Sequence, residues 1–335
     1  MVLSKHKLPW FGLLVGLIAL AAIGAGAVAV LRMDAWGDRS RGQLDVDVVP
    51  KIDPALVRYQ QAAAFAVGLK EARALAVGPE DRIYVGGDRM IRVLNSDGTP
   101  WREIALDGPP RCLAVAATDA AAPVRLVVGM EDHIEIYRAT GQRAAVWKSL
   151  GAEASLTAVA ATEQDVFAAD AGNHVVWHYD SSGKLHGPIG RPDKAHNYPG
   201  FLITSHYFDL ALGGDGLLHV VNPRALRVEA YTFGGDLEFT WGQGSTKLDG
   251  FFGCCNPAYL AAMGDGRFVT MEKGARRVKL YSGQGKFECV VAGPEQLGAT
   301  AGAVAADRQG RILVLDPEAA SVRVFVAKST AKGAS

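Results

Sequence analysis

Ala74-Leu75-Ala76-Val77, then Arg82-Ile83-Tyr84-Val85-Gly86-Gly87, then Ile91-Arg92-Val93-Leu94 and the turn Ser96-Asp97-Gly98 make up a phrase that the rest of the chain repeats. CLAV at Cys112 leads in the same way to RLVVG at Arg125, IEIY at Ile134 and the turn Ala139-Thr140-Gly141. AVAA at Ala158 leads to VFAAD at Val166, VVWHY at Val175 and Ser181-Ser182-Gly183. DLAL at Asp209 leads to LLHVV at Leu217, RVEAY at Arg227 and Gly234-Gly235-Asp236. YLAA at Tyr259 leads to RFVTMEKG at Arg267, RVKLY at Arg277 and a turn at Ser282. AVAA at Ala303 leads to RILVLD at Arg311 and VRVF at Val322, after which a polar tail follows. The starts lie roughly 40 to 50 residues apart, the period of one four-stranded propeller blade.

Each apolar run is short, rich in Val, Ile, Tyr and Phe, and bounded by Gly, Asp, Asn or Ser, so strand is favoured over helix. Small residues dominate the first strand of every phrase, as the crowded wall of a central channel requires. The sixth phrase lacks a fourth strand, and AAAFAVGL from Ala62 to Leu69 lies spare ahead of the first. Pairing it with the last blade closes the ring and removes an open sheet edge. The expectation is an all-β, six-bladed β-propeller closed by an N-terminal strand and preceded by one transmembrane helix.

The residues resemble the NHL-repeat β-propeller family from about Tyr59 to Lys328. The resemblance is carried most fully by Trp241-Gly242-Gln243-Gly244, Gly250-Phe251-Phe252, Asn256-Pro257, Asp265-Gly266-Arg267 and Arg277-Val278-Lys279-Leu280-Tyr281. It implies the fold and leaves the activity open, because ligand-binding, scaffold and enzymatic proteins share it. The chain departs from the phrase in an alanine-rich insertion, Thr118 to Val124, and in a long loop between blades three and four.

Lys plus Arg and Asp plus Glu number 35 each, so no overall field attracts the chain to nucleic acid or anionic lipid. RNA binding would need a basic surface with aromatic platforms, and the basic residues here are spread through the blades. Residues 1–7 carry Lys5, His6 and Lys7 and precede an uncharged stretch, residues 8–31, long enough to span a bilayer as a helix. Its length exceeds a secretory signal's apolar core, so an uncleaved anchor is expected, although the small residues Ala25 to Ala29 also offer a cleavage site. Positive charge before the span keeps that end in the cytoplasm, with Arg32, Arg39 and Arg41 opposing it from the far side. The ring is then expected on the periplasmic side of the cytoplasmic membrane. Residues 32–57 read as a polar spacer, residues 58–328 as the propeller, and residues 329–335 as a disordered tail.

The sharpest local feature is Gly253-Cys254-Cys255-Asn256-Pro257, in the loop leading into the inner strand of blade five. Such loops open onto one end of the channel, where propellers bind ligands. Three readings fit: packing, with a disulfide from either cysteine to Cys289 or Cys112; thiol redox chemistry; and soft-metal binding. Adjacent cysteines lack the C-x-x-C spacing of zinc sites. His206 and Tyr207, with His196 and Tyr198 in the loop from Gly187 to Ser205, are candidates for the channel mouth, as is Asn256. His133 and His174, at turns between second and third strands, are expected on the opposite face, while His178 and His219 fall within strands. Asp170, Glu272 and Asp316 recur at the ends of second strands, as turn chemistry explains. No G-x-S-x-G occurs, and Gly242-Gln243-Gly244 lacks the following helix of a phosphate loop. The reading is a tethered module that binds a protein partner, with a metal- or thiol-dependent enzyme as the alternative.

Overall fold

The computed structural model describes residues 51–116, 124–300 and 302–329. The expected membrane span, most of the expected spacer and most of the blade-two insertion lie outside them. Among the described residues no helix is long and apolar enough to cross a membrane.

Short strands gather into six four-stranded antiparallel sheets. The chain begins with β1 (Tyr59–Ala66), and the first blade is β2 (Ala72–Val77), β3 (Ile83–Gly87), β4 (Met90–Leu94) and β5 (Pro100–Ala105). Blade two is β6 (Cys112–Ala116), β7 (Arg125–Gly129), β8 (Ile134–Arg138) and β9 (Arg143–Val146). Blade three is β10 (Leu156–Ala161), β11 (Asp165–Asp170), β12 (Val175–Asp180) and β13 (Leu185–Ile189). Blade four is β14 (Leu210–Leu212), β15 (Leu218–Asn222), β16 (Arg227–Tyr231) and β17 (Leu237–Trp241). Blade five is β18 (Tyr259–Ala262), β19 (Phe268–Glu272), β20 (Arg277–Tyr281) and β21 (Phe287–Ala292). The last sheet holds β22 (Ala303–Ala306), β23 (Ile312–Asp316) and β24 (Ser321–Ala327), with β1 as its outer strand.

The closing strand pairs Tyr59 with Ala327 and Ala66 with Ser321. It starts three residues before the expected Ala62 and ends at Ala66, just ahead of Val67, which is fully buried, and Gly68, whose φ of +61° breaks the extended run. The last strand runs on to Ala327, within the expected propeller. Inner strands touch in cyclic order, β2 to β6, β10, β14, β18, β22 and back to β2, so the sheets circle one axis. A channel of about 110 Å³ runs along it, lined among others by Ala74, Cys112, Ala158, Leu210, Leu260 and Ala303. Small side chains on the converging inner strands therefore have the expected cause.

Blades pack through a repeated contact. The glycine in the turn before each outer strand faces an apolar side chain on or beside the preceding blade's outer strand. Phe65 meets Gly98, Ile104 meets Gly141, Trp147 meets Gly183, Ile189 meets Gly235 and Trp241 meets Gly285. Phe65 comes from β1, so the N-terminal strand supplies the same contact as the others. At the junction of blades five and six, the segment leading into β1 takes the place of the turn: Arg58 N–H donates to Val290 O at 3.1 Å.

The loops that lead into the inner strands define the upper face. An inner strand leaves that face and the second strand returns to it, so turns between second and third strands lie there too. His174 accordingly lines one groove with Pro199 to Thr204, which corrects its expected place on the opposite face. His133 belongs to this face as well: Leu150 N–H, in a leading loop, donates to O of the adjacent Asp132. Alternation of strand direction, rather than composition, decides it.

Candidate functional site

Two long leading loops, 190–209 before β14 and 242–258 before β18, are pinned to the blades by buried polar residues. Glu229 on β16 is fully buried and accepts from Tyr198 Oη at 2.8 Å, Tyr231 Oη at 2.6 Å and Asn222 Nδ2 at 2.9 Å, with Arg227 paired at 2.7 Å. Tyr198, expected at the mouth as a binding residue, is thus occupied in fastening its loop. Glu272 does the same for the second loop. Its Oε1 accepts Phe252 N–H at 2.7 Å, while Arg277 and Lys279 pair with its Oε2 at 2.8 and 3.2 Å. The Lys279 ammonium also donates to Gly250 O at 2.6 Å. A buried charge left unpaired costs about 3–5 kcal/mol, so these clusters make the loops rigid.

In blades one, three, four and five, a side chain at the end of the second strand ties down the leading loop. Asp88 accepts Lys70 and Glu71 N–H, both at 2.7 Å. Asp170 accepts Ser155 N–H at 2.9 Å and Asn222 accepts Leu202 N–H at 3.0 Å. Asp170 Oδ1 also accepts Gly172 N–H at 3.1 Å, and Asp316 accepts Ala319 N–H at 3.0 Å, the turn chemistry expected of them. Glu272 instead reaches the loop.

Asn256, 1 % exposed, has a fastening role. Its Nδ2 donates to Phe252 O at 2.5 Å and to Lys273 O at 3.3 Å, and its Oδ1 accepts Lys273 N–H at 2.9 Å. This stitches the cysteine loop to the turn after β19 and brings Lys273 to the cysteines. The Lys273 ammonium lies 4.4 Å from the centroid of the Tyr207 ring. The Tyr207 ring lies 4.3 Å from that of His206, tilted by 36°, and meets Tyr259 edge-on at 5.9 Å. Cys255 Sγ lies 3.2 Å from Thr204 Oγ1. Burial alone would raise the Cys255 thiol, but the Thr204 and Ser205 hydroxyls, the Lys273 charge and the neighbouring Cys254 outweigh it and hold the thiol below its ordinary range. Partial burial and the charges of Lys273 and Arg111 hold His206 below the usual imidazole range.

Four of the expected residues, His206, Tyr207, Cys254 and Cys255, therefore share one patch. His196 stands apart with its side chain 82 % exposed and paired to Asp193 at 2.6 Å, a partner that raises its imidazole. Cys289 lies in β21 among Tyr59, Met263, Leu280 and Phe325, packed into the core rather than exposed at the loop. All four cysteines are free, which corrects the disulfide reading. Among the described residues no three His, Cys, Asp or Glu side chains are grouped to hold a metal ion. His219 is fully buried, its Nε2 3.0 Å from Asp215 and its Nδ1 accepting from Trp241.

Sequence reasoning missed Lys273, Thr204 and Asp209. Lys273 was within reach, since it follows Glu272 at a turn that strand alternation places on the upper face. Asp209 borders the channel and joins two blades, accepting Leu210 and Leu260 N–H, both at 2.8 Å. Burial pushes its carboxyl up to about 7 despite both donors. A larger groove of about 720 Å³ lies on the same face between blades three and four, where Trp177, Phe201, Ile203 and the exposed Leu202 meet Arg191 and Arg224.

The sequence matches no known family profile and no curated protein. Its fold is similar to that of solved structures. A streptogramin B lyase aligns with TM-score 0.54 and 10% identity over 82% of this chain and 100% of that one. Virginiamycin B lyase from Staphylococcus aureus aligns with TM-score 0.55 and 12% identity over 81% and 100%. The WD40 β-propeller domain of Doa1 aligns with TM-score 0.56 and 14% identity over 81% and 98%. The likeness is one of fold alone.

Proposed function

We propose that the chain is a membrane-tethered, NHL-type propeller that holds a partner protein on its upper face, with the ring on the extracytoplasmic side. The groove between blades three and four carries this reading. It is wide, its floor is apolar, and Arg191 and Arg224 make no salt bridge among the described residues, so both guanidinium groups are free for a partner's carboxylates. The loops around it are held rigid by Glu229 and Asn222, which reduces the ordering cost of binding. The NHL assignment rests on the Trp241 to Tyr281 phrase, and the tether on the uncharged residues 8–31.

Co-purification of the full chain from detergent-solubilised membranes, in parallel with Leu202→Asp and Arg224→Glu, tests the reading. A protein recovered with the wild type and lost from both variants is expected. Recovery of the same proteins with all three chains would remove the groove from the account. Protease added to cells stripped of their outer membrane should cut exposed turns of the ring; cleavage only after lysis would overturn the placement.

A further inference from the structure

We propose that Cys254 and Cys255 form a two-thiol site that exchanges with disulfides presented at the upper face, Cys254 capturing the disulfide and Cys255 resolving it. The two thiols are neighbours in the chain with opposite surroundings, Cys254 exposed and Cys255 buried. Cys255 has φ +60°, a left-handed conformation that L-residues other than Asn and Asp seldom adopt, and Gly253, two residues before it, has φ +79°. Strained residues of this kind persist where their surroundings over-determine them. Here Asn256 N–H donates to Pro223 O at 3.1 Å, while its side chain fixes the loop to Phe252 and Lys273. The Thr204 hydroxyl, 3.2 Å from Cys255 Sγ, and the Lys273 ammonium supply the hydrogen bond and positive field that a thiolate needs. Two thiols with no third metal-binding side chain grouped beside them among the described residues suit sulfur exchange better than a metal.

The steps balance without a further oxidant. The exposed Cys254 sulfur attacks one sulfur of the disulfide RS–SR′, that S–S bond breaks, and R′S leaves with the proton that Cys254 gives up. Cys255 thiolate then attacks Cys254 Sγ in the mixed disulfide, the Cys254–SR bond breaks, and RS⁻ departs. The protein is oxidised by two electrons and the disulfide is reduced to two thiols.

The test uses the full chain, folded, with a chromogenic nitrobenzoate disulfide as probe. The wild type should release two nitrobenzoate thiolates per chain and retain no adduct, and peptide mapping should place a bond between Cys254 and Cys255. Cys254→Ser should lose the fast release. Cys255→Ser should release one equivalent and keep the adduct on Cys254. Lys273→Met should slow the second release and move its pH midpoint upward, which loss of a merely structural lysine would not do. Matched thermal midpoints establish that each variant keeps its ring, and the mapping of the wild type stands without any variant. Release only on unfolding, a retained adduct in the wild type, label confined to Cys112 or Cys289, or two equivalents from Cys255→Ser would each overturn the proposal.

Discussion

At the scale of the residue, Asp209 shows how burial and hydrogen bonding compete. Both its oxygens accept backbone N–H groups, which favours the carboxylate, yet its desolvated position beside the channel wins and its carboxyl titrates near 7. The unfolded chain holds this group near its ordinary 3.8. Between those values the folded state binds more protons, so this group's contribution to stability is present below about pH 4 and is lost as pH rises through about 7. Asp209→Asn should therefore remove a fall in unfolding free energy between pH 4 and 7, measured by urea titration at several pH values. A variant whose pH dependence parallels the wild type would refute the assignment. The sequence showed DLAL only as an inner strand. It could not show that the aspartate leads β14 and reaches across to β18, because that contact belongs to the closed ring. Asn256 and Tyr198 were visible as loop residues, while their fastening roles depend on partners in Lys273 and Glu229 that sequence distance conceals.

At the scale of the element, the turns were legible and their purpose was not. Ser-Asp-Gly, Thr-Gly and Ser-Ser-Gly read as turn punctuation, which they are, but each glycine also makes room for the neighbouring blade's outer side chain. Gly183 has φ +92°, and a Cβ there would lie 2.5 Å from Trp147 Nε1. Gly151 has φ +102° with nothing within 4 Å of the same added atom. Alanine at either position meets backbone strain; only at Gly183 does it also push against the next blade. Gly183→Ala should lose about 1–3 kcal/mol more in urea unfolding than Gly151→Ala. Equal losses would mean that the blade contact adds nothing. The face of the turns between second and third strands was misread for a related reason: the phrases gave strand order, and placing His174 and Lys273 beside the leading loops needs the direction of each strand as well.

At the scale of the whole molecule, closure of the ring is the step on which every site depends. The spare N-terminal segment was readable because the sixth phrase was one strand short, and β1 fills that gap with Tyr59 buried and Phe65 packed against Gly98. Without β1, blade six would present β24 as a bare edge carrying the buried Val322, Val324 and Phe325, a template for pairing with another chain. A chain beginning at Val67 also loses the Tyr59 packing, and removing a large buried ring costs about 3 kcal/mol or more. Its thermal midpoint should fall by about 6 °C or more relative to a chain beginning at Asp53, which keeps the closing strand. Size-exclusion chromatography should show self-association for the shorter chain, since the exposed edge can be satisfied by a second copy. Equal midpoints with both chains monomeric would show that five complete blades hold the sixth in place, and that the N-terminal strand is an ornament on a ring already closed by its inner strands.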